Sequence, residues 1–383
     1  MQDAFIARTA ELQRRMADDG LDAVLLTDPD SIYYISGYWG YLGVEFGRPT
    51  LLLVPRDGDC TLITPLMESD MGRLMTWVAD VRPWEDGVGG EWRAPLEVLL
   101  GGRGGLRLGI ERLQIPALIS AFLAEALPDA RLLDASRLLA EMRMIKGADE
   151  IATMRQAGQV AVAMAEAAEA VIGEGVPEYE VALAVIAGGT RKAAEFLTEG
   201  EDRFFSPTIY NLQILQSGHD TCLVHRRSTV RRIQRGDPVY LCFCGIANFK
   251  LFKLGFDREY FVGSVTDEQA RSYEVTLEAQ KAALNTIRPG VPAEEPHVAA
   301  EAVYREAGLS PGYRTGRAIG YSFLESPELK AGDKTPLQAG MTFAVDGGIT
   351  VAGKYGTRVG DSIVVTDSGF DYLTPYPKDL RIL

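Results

Sequence analysis

Apolar and polar positions alternate along this chain in two regimes. In the first ~140 residues short apolar runs are interleaved with amphipathic stretches, a pattern of buried strands between helices. A helix is predicted near 3–19, followed by a strand at Asp22-Ala23-Val24-Leu25-Leu26. Further strands are predicted at 50–54, 60–63 and 106–110, and helices near 65–75, 92–100 and 115–126. This alternation predicts a layered α/β domain with a largely buried sheet. The pattern changes after Glu141-Met142-Arg143-Met144-Ile145-Lys146, where Asp149 and Glu150 open a long helix and complement its dipole. A domain boundary is placed there, giving domains 1–146 and 147–383. Beyond it helices are predicted near 148–173, 178–192, 267–287 and 293–307. Strands are predicted at 205–216, 221–225, 238–250, 256–263, 342–346, 349–353 and 361–366. Helices grouped apart from antiparallel strands make the second domain α+β. No solenoid-period repeat or low-complexity tract interrupts either half.

Composition narrows the functions available. The chain has 383 residues, long for one domain, and 46% of them are apolar, enough for two sizeable cores. A formal charge of −14, from 39 basic and 53 acidic residues, argues against nonspecific binding to nucleic acid or anionic membrane. Cys60, Cys222, Cys242 and Cys244 are too scattered for a disulfide framework, so reduced thiols are expected. The N-terminal stretch reads as an amphipathic helix, without the apolar core of a signal peptide, and no run reaches transmembrane length. A cytoplasmic protein is expected.

Three histidines are available for proton transfer. His297 precedes a helix in a polar turn and is expected at the surface. His219 and His225 lie in Ser217-Gly218-His219-Asp220-Thr221-Cys222-Leu223-Val224-His225. Cys242 and Cys244 alternate on one predicted strand and are expected to be buried and chemically quiet.

Several pieces of the second half resemble the pita-bread superfamily of methionine aminopeptidases, Xaa-Pro dipeptidases and creatinases. They are Ser217-Gly218 with His225 following, Gly236-Asp237, Arg314-Thr315-Gly316 and Gly340-Met341-Thr342-Phe343. The resemblance implies a pita-bread catalytic domain behind a creatinase-type N-terminal domain. Metal-dependent members hold two ions with Asp, Asp, His, Glu and Glu. The corresponding positions here read Cys242, Gly255, Arg317, Asp346 and Gly360, a set poor in the donors that hard divalent cations require. No metal and no cofactor are therefore expected.

The metal-free branch, the creatinases, resembles this chain further. By that resemblance His225 is the base and then the acid of C–N hydrolysis. Asp257, before Arg258, and Asp346 take the places of two guanidinium-binding glutamates. Phe46 and Arg48, in Glu45-Phe46-Gly47-Arg48-Pro49, resemble a motif that reaches across a dimer interface to the substrate carboxylate. Arg314 matches a second carboxylate-binding arginine. Together these would trap a small zwitterion, carboxylate at one end and guanidinium or amidinium at the other. The expected partners are that small molecule and a second copy of the chain. Arg317 departs from both branches. It is expected to pair with Asp346 or Glu325, or to bind substrate at a developing oxyanion. The leading reading is a metal-independent, creatinase-like amidinohydrolase. Gly332-Asp333-Lys334-Thr335 resembles ectoine hydrolases instead, so a cyclic amidine is an alternative substrate. An Xaa-Pro dipeptidase and an inactive binding protein are further alternatives.

Overall fold

The computed structural model describes residues 2–102, 104–209, 214–243, 248–310 and 312–383. It divides into Met1–Met142 and Arg143–Leu383.

The first unit runs α1 (Gln2–Asp18), β1 (Ala23–Leu26), α2 (Pro29–Ser36), α3 (Tyr41–Phe46), β2 (Leu51–Pro55), β3 (Thr61–Pro65), α4 (Leu66–Met75), β4 (Asp80–Trp84), α5 (Arg93–Leu100), β5 (Arg107–Ile110), α6 (Ala117–Ala126), β6 (Arg131–Asp134) and α7 (Ser136–Met144), the last crossing the division. The strands form one sheet in the order β4-β3-β2-β1-β5-β6. β1 lies in its middle, fully buried, which explains its unbroken apolar run. α2 was not predicted, because its eight residues are too few for a period. Local chemistry specifies it instead. Asp28 caps the Ser31 amide at 3.0 Å, Pro29 opens the first turn, and Gly37 closes the helix at φ 77°.

The second unit runs α8 (Ala148–Glu169), α9 (Glu178–Glu195), β7 (Ile214–Ser217), a 3-10 turn (Gly218–Cys222), β8 (Pro238–Cys242), β9 (Asp257–Phe261), α10 (Asp267–Thr286), α11 (Glu295–Glu306), β10 (Arg314–Ala318), β11 (Glu325–Lys330), β12 (Thr342–Val351), β13 (Tyr355–Val365) and β14 (Phe370–Tyr372). Its antiparallel sheet has the order β11-β10-β12-β13-β9-β8-β7, with β14 added to β13. α8 pairs with α9, α10 pairs with α11, and α10 packs on β12 and β13. One face of the sheet thereby closes on a core of Ala283, Leu284, Phe343, Val345 and Ile363.

Two local expectations are corrected here. Residues 221–225 form no strand: the 3-10 turn and the turn after it replace the predicted one. The strands predicted at 342–346 and 349–353 are one strand, β12, paired with β13 from Thr342↔Val364 to Val351↔Tyr355. Parts of the predicted strands 205–216 and 238–250 lie outside the described residues.

Candidate active site

Strand register assembles the site. Cys242 on β8 faces Asp257 on β9, Asp257 faces Gly360 on β13, and Gly360 faces Asp346 on β12. Directly opposed residues share a face, so these four form one row across the sheet. Gly360 leaves a gap in that row. A Cβ there would stand 2.6 Å from Asp257 Oδ2 and 2.9 Å from Asp346 Cβ, so both carboxylates lean into the space a side chain would fill. Arg317 on β10 faces Ala344, two residues from Asp346 on β12, and so projects from the same face. It forms an ion pair with Asp346, and the Phe323 ring lies 4.0 Å from its guanidinium carbon. Gly255 adds a second gap: its Cβ would meet Ala344 Cβ at 2.5 Å and Arg317 Nη2 at 3.3 Å.

Asp257 is 3% exposed. Its carboxyl is pushed up to about 7, first by burial and then by the neighbouring charge of Asp346. Arg317 and Arg358 oppose that rise, as does the hydroxyl of Tyr240, which donates to it. Arg317 stays firmly charged: burial pulls its proton affinity down, but Asp346 and Asp257 outweigh burial. Burial and the Asp346 charge thus favour the protonated form of Asp257 beside a charged guanidinium, an arrangement suited to proton transfer.

The neighbouring row, two residues along on the same face, reaches the edge of the sheet. Tyr240 on β8 faces Gln216 on β7, and the Gln216 side-chain amide donates to the carbonyls of Leu223 and Arg226. That fastens the turn carrying His225. The completely buried Glu178, at the start of α9, fastens it again: it accepts from Arg226 (2.5 and 2.8 Å), from Ser217 N and Oγ (3.0 and 2.6 Å), and from Thr229 N and Oγ1 (both 2.8 Å). Burial alone would lift the Glu178 carboxyl; these donors hold it below the usual range. Arg358, on β13, lies 5.5 Å from the Tyr240 ring and donates to Thr350 Oγ1 at 2.8 Å. It also donates to the Thr221 carbonyl at 3.4 Å, and its positive charge acts on the buried Asp257 and Glu259.

The residues expected from sequence are brought together unevenly. Asp257, Asp346 and Arg317 form the cluster, and Arg317 takes Asp346 as partner rather than Glu325, which is held by Arg143 at 2.6 Å and Lys146 at 2.7 Å. His225 is exposed on its turn and makes no hydrogen bond or ion pair with a described residue. Arg314 pairs with Glu328 at 2.7 Å. In the first unit, Phe46 is 60% exposed and Arg48 pairs with Asp86 at 2.7 Å. His297, expected at the surface, is buried at 5% exposure, with Nδ1 2.9 Å from Thr315 Oγ1; burial lowers its proton affinity. The polar turn before it misled the reading, because His297 lies inside α11 on the face that meets β10. Cys242 is disulfide-bonded, not a reduced thiol; Cys244 lies outside the described residues. Tyr240, Arg358 and Glu178 were missed. Their roles depend on register and on contacts remote in sequence.

The donor set does not fit a pair of divalent ions. Two of the five positions have no side chain, a third is a guanidinium already bonded to the fourth, and the fifth sulfur is in a disulfide. Among the described residues no group of three or more His, Cys, Asp or Glu is placed to hold a metal.

Fold and site together define the class. Residues 152–367 match the metallopeptidase family M24 and residues 8–145 match the creatinase/prolidase N-terminal domain. The chain belongs to metallopeptidase family M24, with a pita-bread catalytic domain behind a creatinase-type N-terminal domain, in the creatinase/prolidase group of hydrolases. It is 30% identical to the agropine synthesis cyclase of Rhizobium rhizogenes over 98% of this chain and 96% of that protein. It is 28% identical to the creatinase of Bacillus sp. (strain B-0618) over 98% of this chain and 92% of the creatinase. Among solved structures it resembles the prolidase from Pyrococcus horikoshii OT3, with a TM-score of 0.82, 25% identity, and coverage of 98% and 99% of the two chains.

Proposed function

We propose that this chain is a metal-independent enzyme that breaks or closes an acyl C–N or C–O bond in a small carboxylate-bearing molecule. The observation that carries this reading is the buried Asp257 carboxyl beside the Arg317–Asp346 pair, on a sheet face where Gly255 and Gly360 leave space. Asp257 supplies or removes the proton at the leaving or attacking heteroatom. Arg317 steadies negative charge on the carbonyl oxygen, and Arg358 holds the substrate carboxylate. His225, on its doubly fastened turn, exchanges the proton with solvent. Ring closure and ring opening are the same step in opposite directions, so likeness to a cyclase and to hydrolases is compatible with one set of groups.

The amidinohydrolase reading, on a guanidino acid or a cyclic amidine, is supported by Asp257 and Asp346 sharing a row. It requires a substrate cation to displace Arg317 from Asp346. Xaa-Pro dipeptidase activity is supported only by relatedness, since the donors for metal are missing. The test is to incubate chelator-treated protein with lactones, lactams, their open hydroxy and amino acids, guanidino acids and Xaa-Pro dipeptides, and to follow product masses. Gain or loss of one water from an acyl substrate supports the proposal. Release of urea or an amine from guanidino acids supports the second reading. Cleavage of Xaa-Pro that needs added manganese or cobalt would overturn metal independence.

A further inference from the structure

Arg317 extends from β10 into the space that Gly255 leaves on the site face of the sheet. A Cβ at Gly255 would lie 3.3 Å from Arg317 Nη2 and 3.6 Å from the Phe323 ring. The guanidinium is enclosed on three sides: Asp346 pairs with it, Phe323 covers it at 4.0 Å, and Asp257 lies near enough to feel its charge. Its side chain is 4% exposed, whereas that of Asp346 is 19% exposed, so the surroundings open to solvent on the Asp346 side. A carboxylate, a second carboxyl and an aromatic face are the components with which proteins bind planar organic cations.

We propose that these groups form a guanidinium pocket that the chain fills with its own Arg317, and that removing this side chain opens the pocket to a free guanidinium or amidinium ion. In the intact chain the pocket then offers a fixed positive charge, not a place for a substrate cation. The substrate group that meets it is electron-rich, a carbonyl oxygen or a carboxylate. That consequence rests on the acyl-bond reading above; the pocket itself does not.

The test uses the full-length Arg317→Ala protein, with Arg317→Gln as the second variant where alanine fails to fold. Each is titrated with methylguanidinium chloride, and with tetramethylammonium chloride at equal ionic strength, following the thermal midpoint and the Asp257 carboxyl-carbon NMR signal. The variant is expected to bind methylguanidinium saturably and about tenfold or more tighter than the intact chain, because removing one partner leaves a charge uncompensated. Asp257 is expected to titrate higher in the variant than in the intact chain and to return on saturation. Adding Asp346→Asn is expected to abolish the binding. A folded variant that does not prefer methylguanidinium over tetramethylammonium would overturn the proposal, as would binding that survives Asp346→Asn or an unaltered Asp257 titration. No turnover is measured, so failure here leaves the acyl-bond reading to the product-mass assay, and failure there leaves the pocket standing.

Discussion

Asp257 and Glu259 are two buried carboxyls on one strand with related costs. Burial raises Asp257 to about 7 and Glu259 to about 8, the latter against the opposing hydrogen bond to Thr357. A carboxyl whose folded value exceeds its unfolded value binds its proton more tightly when folded, so stability falls as pH rises between the two values. For Asp257 that window runs from the ordinary carboxylate value near 4 up to about 7. Asp257→Asn should therefore stabilise the protein by on the order of 4 kcal/mol at about pH 8 and have little effect near pH 4. The same variant should lose turnover by about 100-fold or more, the usual contribution of a general acid or base. Denaturant melts at the two pH values check the first statement; an equal gain at both would refute it. Asp346→Asn acts in the opposite sense to Arg317→Ala. Removing the repelling charge should lower the Asp257 value, and any pH–rate profile governed by Asp257 should move to lower pH with it.

The strands decide which of these residues meet. Gly360→Ala would drive a methyl group between Asp257 and Asp346; the two carboxylates must part, at a cost of about 1–3 kcal/mol in strain. A crystal structure or melt of that variant with an undisturbed Asp257–Asp346 spacing would contradict the packing described. The turn bearing His225 depends on Glu178 in the same way. Glu178→Ala leaves Arg226 without its buried carboxylate and should cost about 3–5 kcal/mol. It should raise amide exchange selectively at 223–229, which hydrogen-exchange mass spectrometry reads directly. Most helices and the buried strands were legible in the sequence, because their apolar periods are long or continuous. β10 and β11 were not. Arg314-Thr315-Gly316-Arg317-Ala318 buries polar residues that find partners on neighbouring strands, so no alternation marks it. The glycine turn at Gly218, with φ 63°, likewise replaced the strand predicted at 221–225. The candidate site was legible as residue types at Asp257, Asp346 and Arg317. Their convergence was not, because it follows from β13 lying between β12 and β9 and from the two missing side chains at 255 and 360.

The chain as a whole joins an M24 catalytic unit to a creatinase-type N-terminal unit. We propose that a second copy of the chain contributes Phe46 and Arg48, as their motif implies. If a neighbouring chain supplies Arg48, co-expressed Arg48→Ala and Asp257→Asn chains should regain activity that each lacks alone, because mixed dimers contain one intact site. Activity no higher than that of either variant would remove the shared-site arrangement. Among the described residues no helix is long and apolar enough to cross a membrane. The central claim is that a protonatable carboxyl beside a fixed guanidinium does the work that relatives assign to metal ions. It is tested most directly by titrating the Asp257 carboxyl carbon by NMR in chelator-treated protein. The account predicts a midpoint near 7 that falls on Asp346→Asn and rises on Arg317→Ala. A midpoint in the ordinary carboxylate range, unmoved by either substitution, would contradict it.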